Sequence, residues 1–108
     1  MIVDATLGAL VVQAPLSFSA TGDNIIVPGL IGKLTKVLQL IMVFGGATGI
    51  TFKSGVNPLS GEMYMVQNGT FVLDYIQCPI TCYSAGDNFI MNLDPGVMVG
   101  GMIWYIRI

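Results

Sequence analysis

The sequence predicts an all-β protein, a single small antiparallel β-sandwich or barrel. Two observations carry that prediction. Short runs rich in Val, Ile, Thr, Phe and Tyr are separated by clusters of Gly, Asn, Asp, Ser and Pro, spaced about 8–12 residues apart as in sandwiches. The chain also closes on the longest such run, Val97 to Ile108, which is entered through the turn signal Asp94-Pro95-Gly96. That run is apolar at both alternating positions: Val97, Val99, Gly101, Ile103 and Tyr105 share one face, and Met98, Met102, Trp104, Ile106 and Ile108 share the other. A strand with one buried face alternates apolar with polar residues, so this one is expected to need cover on both. Ending on Ile-Arg-Ile, it is expected to be paired into a sheet or held against a partner.

Taken in order, residues 1–15 read as an N-terminal arm or edge strand and 16–108 as the sandwich. Within the arm, Leu7 to Gln13 is apolar, with Gly8 weakening a helix and Val11-Val12 favouring an extended form. It fits packing on a neighbour as well as a first strand of the domain's own sheet. Leu16-Ser17-Phe18-Ser19 alternates as a half-exposed strand does. Thr21-Gly22-Asp23-Asn24 is turn chemistry, and Ile25-Ile26-Val27 is a short strand stopped by Pro28-Gly29. Lys33 to Phe44 is the longest internal strand. A helical stripe can be drawn through Leu30, Leu34, Val37, Leu38 and Ile41, but the β-branched content favours a strand.

Gly45-Gly46-Ala47 turns the chain into Thr48–Ser54, where Ile50 and Phe52 alternate with Thr51 and Lys53. Residues 55–61 are a loop by composition. Met63–Val66 and Thr70–Leu73 flank Gln67-Asn68-Gly69, a hairpin signal. Tyr75 to Tyr83 crosses the molecule past Pro79, and Ser84–Asn88 turns into Phe89–Leu93. Ser19–Ile26 and Ser84–Met91 echo one another through a shared Gly-Asp-Asn, read as two turns chosen by the same local physics.

Composition narrows the function. The chain has 108 residues, 54% of them hydrophobic and 9% charged, with a net charge of −2 and a mean hydropathy of +0.78. Soluble domains carry about 25% charged residues, and a domain this small cannot hide so much apolar area internally. Lipid is a poor recipient. The best spanning candidate, Leu30 to Phe52, is broken by Lys33, Lys36 and Gln39 and then by Gly45, Gly46 and Gly49, short of the roughly 20 uninterrupted apolar residues a span needs. A transmembrane barrel would need more polar residues to line its lumen. Nucleic acid is equally poor, because Lys33, Lys36, Lys53 and Arg107 form no basic stripe. Protein partners remain.

Catalytic chemistry is not visible. There is no histidine for a triad or a typical metal site. The acids are scattered, and the two Gly-Asp-Asn turns lack the clustered oxygens that calcium wants. Cys78 and Cys82, in Cys-Pro-Ile-Thr-Cys, read as small reduced side chains, with no co-ligand for zinc. No cofactor is expected. The Met and aromatic residues are of types enriched at interfaces, and Met63, Met65, Trp104, Tyr105 and Ile108 are the candidate contact residues.

The order of motifs adds a resemblance. Ser-Phe-Ser-Ala-Thr-Gly-Asp-Asn-Ile-Ile-Val (17–27) is followed by Gly-Lys and an apolar strand (32–44), then Thr-Phe-Lys-Ser-Gly (51–55) and Leu-Ser-Gly (59–61). Asn-Gly-Thr-Phe-Val-Leu (68–73), Gly-Asp-Asn-Phe (86–89) with Asn92-Leu93, and Val97 to Tyr105 complete it. This order resembles small all-β virion proteins of tailed bacteriophages, of the head decoration or cement type, from Ser17 onward. The resemblance implies a jelly-roll-like sandwich, made in the bacterial cytoplasm, that binds the capsid exterior and staples neighbouring copies of the major coat protein. Homo-oligomers, dimers or trimers, are expected. A tail, neck or baseplate component and a small ligand-binding module are the alternatives.

Overall fold

A computed structural model describes residues 2–4, 9–74 and 79–108. Among these residues the chain forms eleven strands. They are β1 (Ile2–Asp4), β2 (Ala9–Phe18), β3 (Gly22–Val27), β4 (Thr35–Phe44), β5 (Thr48–Ser54), β6 (Asn57–Pro58), β7 (Met63–Met65), β8 (Thr70–Asp74), β9 (Ile80–Thr81), β10 (Phe89–Asp94) and β11 (Val99–Arg107). All pairings are antiparallel. One sheet runs β1-β2-β11-β4-β8 with β9 beside the far end of β4; the other runs β3-β10-β5, with β6 and β7 both on the outer edge of β5.

The strand order is that of a jelly roll. β2, β11, β4 and β8 face β3, β10, β5 and β7, and the connections β2–β3, β4–β5, β7–β8 and β10–β11 each pass from one sheet to the other at the same end. Two sheets packed this way bury alternate residues of every strand between them. Leu40, Met42 and Phe44 of β4 and Val99 and Ile103 of β11 project inward against Ile50 and Phe52 of β5 and Phe89, Met91 and Leu93 of β10. Aromatic rings knit the layers: Phe52 stacks on Phe89 at 5.5 Å and meets Phe71 of the opposite sheet edge-on, also at 5.5 Å.

The all-β sandwich reading holds, and the run from Lys33 to Phe44 is a strand from Thr35 onward. Two details differ from the expectation. Met63–Met65 and Thr70–Asp74 do not pair as a hairpin: β7 joins β5 in one sheet, and β8 joins β4 in the other. Asn68 does take a positive φ of 62°, but both flanking strands find longer partners. The turn between them is tied to the end of β4, with Asn68 N donating to Phe44 O and Phe44 N to Gly69 O. Gly22–Asn24 belongs to β3 rather than to the turn, because Asn92 and Met91 of β10 supply ladder partners. At the start of the chain, β2 is continuous from Ala9 to Phe18 and lies inside its sheet, between β1 and β11. Tyr75–Cys78 lies outside the described residues, as do Met1 and 5–8.

A bulge explains how the apolar run in β4 is accommodated. Trp104 pairs with Gln39 but Tyr105 with Val37, leaving Leu38 as an extra residue. The side-chain alternation therefore changes phase there. Leu40 and Val37 both point into the core, while Leu38 joins Val11 and Ile106 in a second cluster on the outer face, with Trp104 packed against it. The expected two-sided cover of the final strand is met in part by this cluster.

Candidate functional site

The outer face of the sheet containing β2, β11, β4 and β8 is built as three rows, each crossing four strands. Register fixes them. The first is Gln13, Trp104, Gln39 and Asp74; the second is Pro15, Met102, Ile41 and Val72; the third is Ser17, Gly100, Val43 and Thr70. The first row is polar and internally bonded. Trp104 Nε1 donates to Gln13 Oε1 at 3.0 Å, and Gln39 Nε2 donates to Asp74 Oδ1 at 2.7 Å. The second row is apolar throughout, with Ile41 40% and Val72 61% exposed. The third adds Val43, also exposed, and a gap where Gly100 carries no side chain.

That gap opens into a hollow of about 460 Å³ lined by Val43, Phe44, Gly45, Asn68, Met98, Gly100 and Gly101. Its rim is held by backbone bonds, Gly45 N to Met98 O at 2.7 Å and Asn68 N to Phe44 O at 2.7 Å. A Cβ built on Gly100 would meet nothing within 4 Å, so the space is open above the strand. Gly101 is the opposite case. A Cβ there would overlap the Ile41 carbonyl oxygen, so close approach of β11 and β4 under the hollow requires glycine. Chemically the hollow offers apolar walls and one exposed amide, Asn68, which suits an apolar side chain better than a charged or reacting group.

The other outer face carries a self-paired polar cluster, with Ile25 of β3 exposed next to it. Lys53 Nζ lies 3.1 and 2.9 Å from the two Asp23 oxygens, and Asn92 Nδ2 donates to Asp23 Oδ1 at 2.8 Å. The Asn92 bond, and next the Lys53 ammonium, hold the Asp23 carboxyl below the usual carboxylate range. Further along, Glu62 lies over Gly49, and its carboxylate near the exposed Tyr64 hydroxyl pushes the phenol up.

The sequence candidates fall in different places. Met63 and Met65 are half-buried and pack on the inter-sheet core from the edge of β5. Tyr105 is 9% exposed and lies inside that core. Trp104 stands on the outer face, tethered to Gln13. Ile108 is 44% exposed beside Leu34, its N and O both bonded to that residue. The structure does not bring these five together. The row of Pro15, Met102, Ile41 and Val72 was not singled out from sequence. Its signal was present in the two-sided apolar pattern of Leu40–Phe44, but which residues face outward depends on the bulge at Leu38.

Among the described residues no three acidic, Cys or His side chains converge as a cation site. The two Gly-Asp-Asn triplets begin antiparallel neighbours, β3 and β10, and so lie at opposite ends of the strand pair. Asp87 there accepts from Ser54 Oγ at 2.7 Å, and Asn88 Oδ1 accepts from Gly29 N at 2.6 Å. Both do turn work. Cys82 is a buried free thiol, pushed up in pKa by that burial; its neighbour in the motif, Cys78, lies outside the described residues.

The sequence matches no protein-family model and no curated protein. Among solved structures it is similar to a protein of Bacillus endospore appendages, described as forming a novel family of disulfide-linked pili. The likeness has a TM-score of 0.50 at 14% identity and covers 92% of this chain and 88% of that one. At that identity it bears on the fold, and it agrees with the sandwich described above.

Proposed function

We propose that the protein is a structural subunit that works by binding other proteins, and specifically that it decorates the exterior of a tailed-phage capsid, cementing neighbouring coat subunits. The observation that carries this reading is the apolar row of exposed Pro15, Ile41 and Val72 with half-buried Met102, beside the Gly100 hollow. A contiguous apolar patch on one face marks a protein contact, and the order of turn motifs resembles that of head decoration proteins. Burying one Val- or Ile-sized side chain contributes on the order of 1.5–3 kcal/mol. A few such residues stand against roughly 4–15 kcal/mol of association cost. One face therefore supplies modest affinity, and multivalent attachment across a repeating lattice raises it. Because only the assembled lattice presents the complete site, binding lowers the free energy of that state relative to its separated subunits.

A second reading, a subunit of a tail or of a surface filament, draws on the fold likeness to a pilus protein. That protein's disulfide linkage is not carried over to Cys82, which is buried. Copy number separates the readings. Quantitative mass spectrometry of gradient-purified particles gives a simple fraction of the coat protein if the chain is shell cement, and a few copies per particle if it is a tail part. Absence from particles would remove the virion reading altogether.

A further inference from the structure

We propose that the chain also binds a second copy of itself head to tail, the Leu30-Ile31 tip of one copy seating in the Gly100 hollow of the next. This rests on the reading of that face as a docking surface and divides it, the apolar row meeting the coat and the hollow taking the neighbouring copy.

The tip lies at the end of the sandwich opposite the hollow, in the connection between β3 and β4, and Ile31 is 96% exposed. A side chain so exposed on a loose loop would be unremarkable, but this loop is braced. Lys33 N donates to Leu30 O at 2.9 Å, Gly86 N to Lys33 O at 2.9 Å, and Arg107 Nη2 to Pro28 O at 2.7 Å. Gly29 packs so tightly on Gly86 that a Cβ would overlap the Gly86 carbonyl oxygen. The apolar tip is therefore held ready, and little ordering entropy is lost when it docks. The receiving hollow is equally fixed by its rim bonds, and at about 460 Å³ it has room for the Ile31 side chain with part of Leu30.

Charge selects the orientation. Lys33, Lys36 and Arg107 gather at the tip end, where the Asp87 carboxylate is engaged by Ser54 and Asp4 stands at the far edge of the sheet, paired in register with Ala9. At the hollow end Asp94 pairs in register with Gly49, over which Glu62 also lies. Tip to hollow brings opposite signs together, whereas tip to tip or hollow to hollow opposes like charges. Because tip and hollow are different patches at opposite ends, the contact is heterologous, and unless it closes into a ring it propagates as a row of copies.

The test uses the full chain and two surface variants. Ile31→Glu spoils the tip, and Gly100→Leu fills the hollow at a position with open space and without a positive φ. Sedimentation velocity across a concentration series is expected to show wild-type chain growing beyond dimers, with association weaker in high salt. Each variant alone is expected to associate at least tenfold more weakly, with an unchanged melting temperature. Mixed together they are expected to stop at dimers, because the intact hollow of one accepts the intact tip of the other. Dimers of either variant alone at wild-type strength would show a symmetric contact and overturn the proposal. A wild-type chain that stays monomeric throughout would also overturn it, while capsid decoration is judged separately by copy number in particles.

Discussion

The two outer faces of this sandwich are made from the same kind of strand and differ in where their polar groups find partners. On the β3-β10-β5 face, Asp23, Asn92 and Lys53 satisfy one another beside a single exposed apolar side chain, Ile25, and Glu62 lies near the Tyr64 hydroxyl. On the β2-β11-β4-β8 face, the bonded polar side chains form one row, and the next two rows offer Pro15, Met102, Ile41, Val72 and Val43, with Ser17 and Thr70 at the ends of the third and a hollow at Gly100. A partner docking on the first face must strip water from paired charges, which costs more than the exposed pairs return. A partner docking on the second displaces water mainly from apolar surface. On the function proposed above, the first face is left to solvent and the second meets protein.

Substitutions can break or sharpen that contrast. The largest effect removes the frame both faces share. Phe44 is fully buried beneath the hollow, and Phe44→Ala is expected to cost about 3–5 kcal/mol in chemical unfolding, with docking lost as a consequence. Next comes a change confined to one face. Ile41→Lys is expected to weaken attachment to particles at least tenfold while stability moves by no more than about 0.5 kcal/mol, as is usual for exposed sites. Thr51→Lys, its counterpart on the polar face, is expected to leave attachment unchanged. Removing the tether of the indole, Gln13→Ala, is expected to cost about 0.5–1.5 kcal/mol, the net worth of one hydrogen bond.

The smallest effect is in pH. Asp23 has its folded pKa lowered from 3.8, first by the Asn92 bond and then by Lys53. Its stabilisation is complete above that ordinary value and is lost as pH falls through the lowered one. Asp23→Asn is expected to flatten the acid limb of the stability profile below pH 3.8, by less than about 1 kcal/mol for so exposed a pair. A melting series from neutral to strongly acidic pH reads it, and an unchanged acid limb would remove Asp23 from the account.

Much of the fold was legible because turn residues punctuate it. Pro28-Gly29, Gly45-Gly46-Ala47, Asn68-Gly69 and Pro95-Gly96 all fall between strands, and the β-branched content of the apolar runs between them favours strands over helices. Pairing was less legible, because Asn68-Gly69 has the same chemistry whether its strands pair with each other or pass to different sheets. The site was least legible. Met63, Met65 and Tyr105 have interface-like chemistry, yet the packing of the two sheets buries Tyr105 in the core and leaves Met63 and Met65 half-buried against it. Ile41 and Val72 are ordinary strand residues that become conspicuous only because register sets them in one row with Met102. The hollow at Gly100 is marked by a missing side chain, which composition does not reveal.

Hydroxyl-radical footprinting of the chain, free and in its purified assembly, tests the central claim most directly. Met98 and Met102 report the apolar face, and Tyr64, 82% exposed, reports the polar one. Assembly is expected to protect Met98 and Met102 and to leave Tyr64 as reactive as in the free chain. Protection of Tyr64 with Met98 and Met102 still fully oxidised would contradict it.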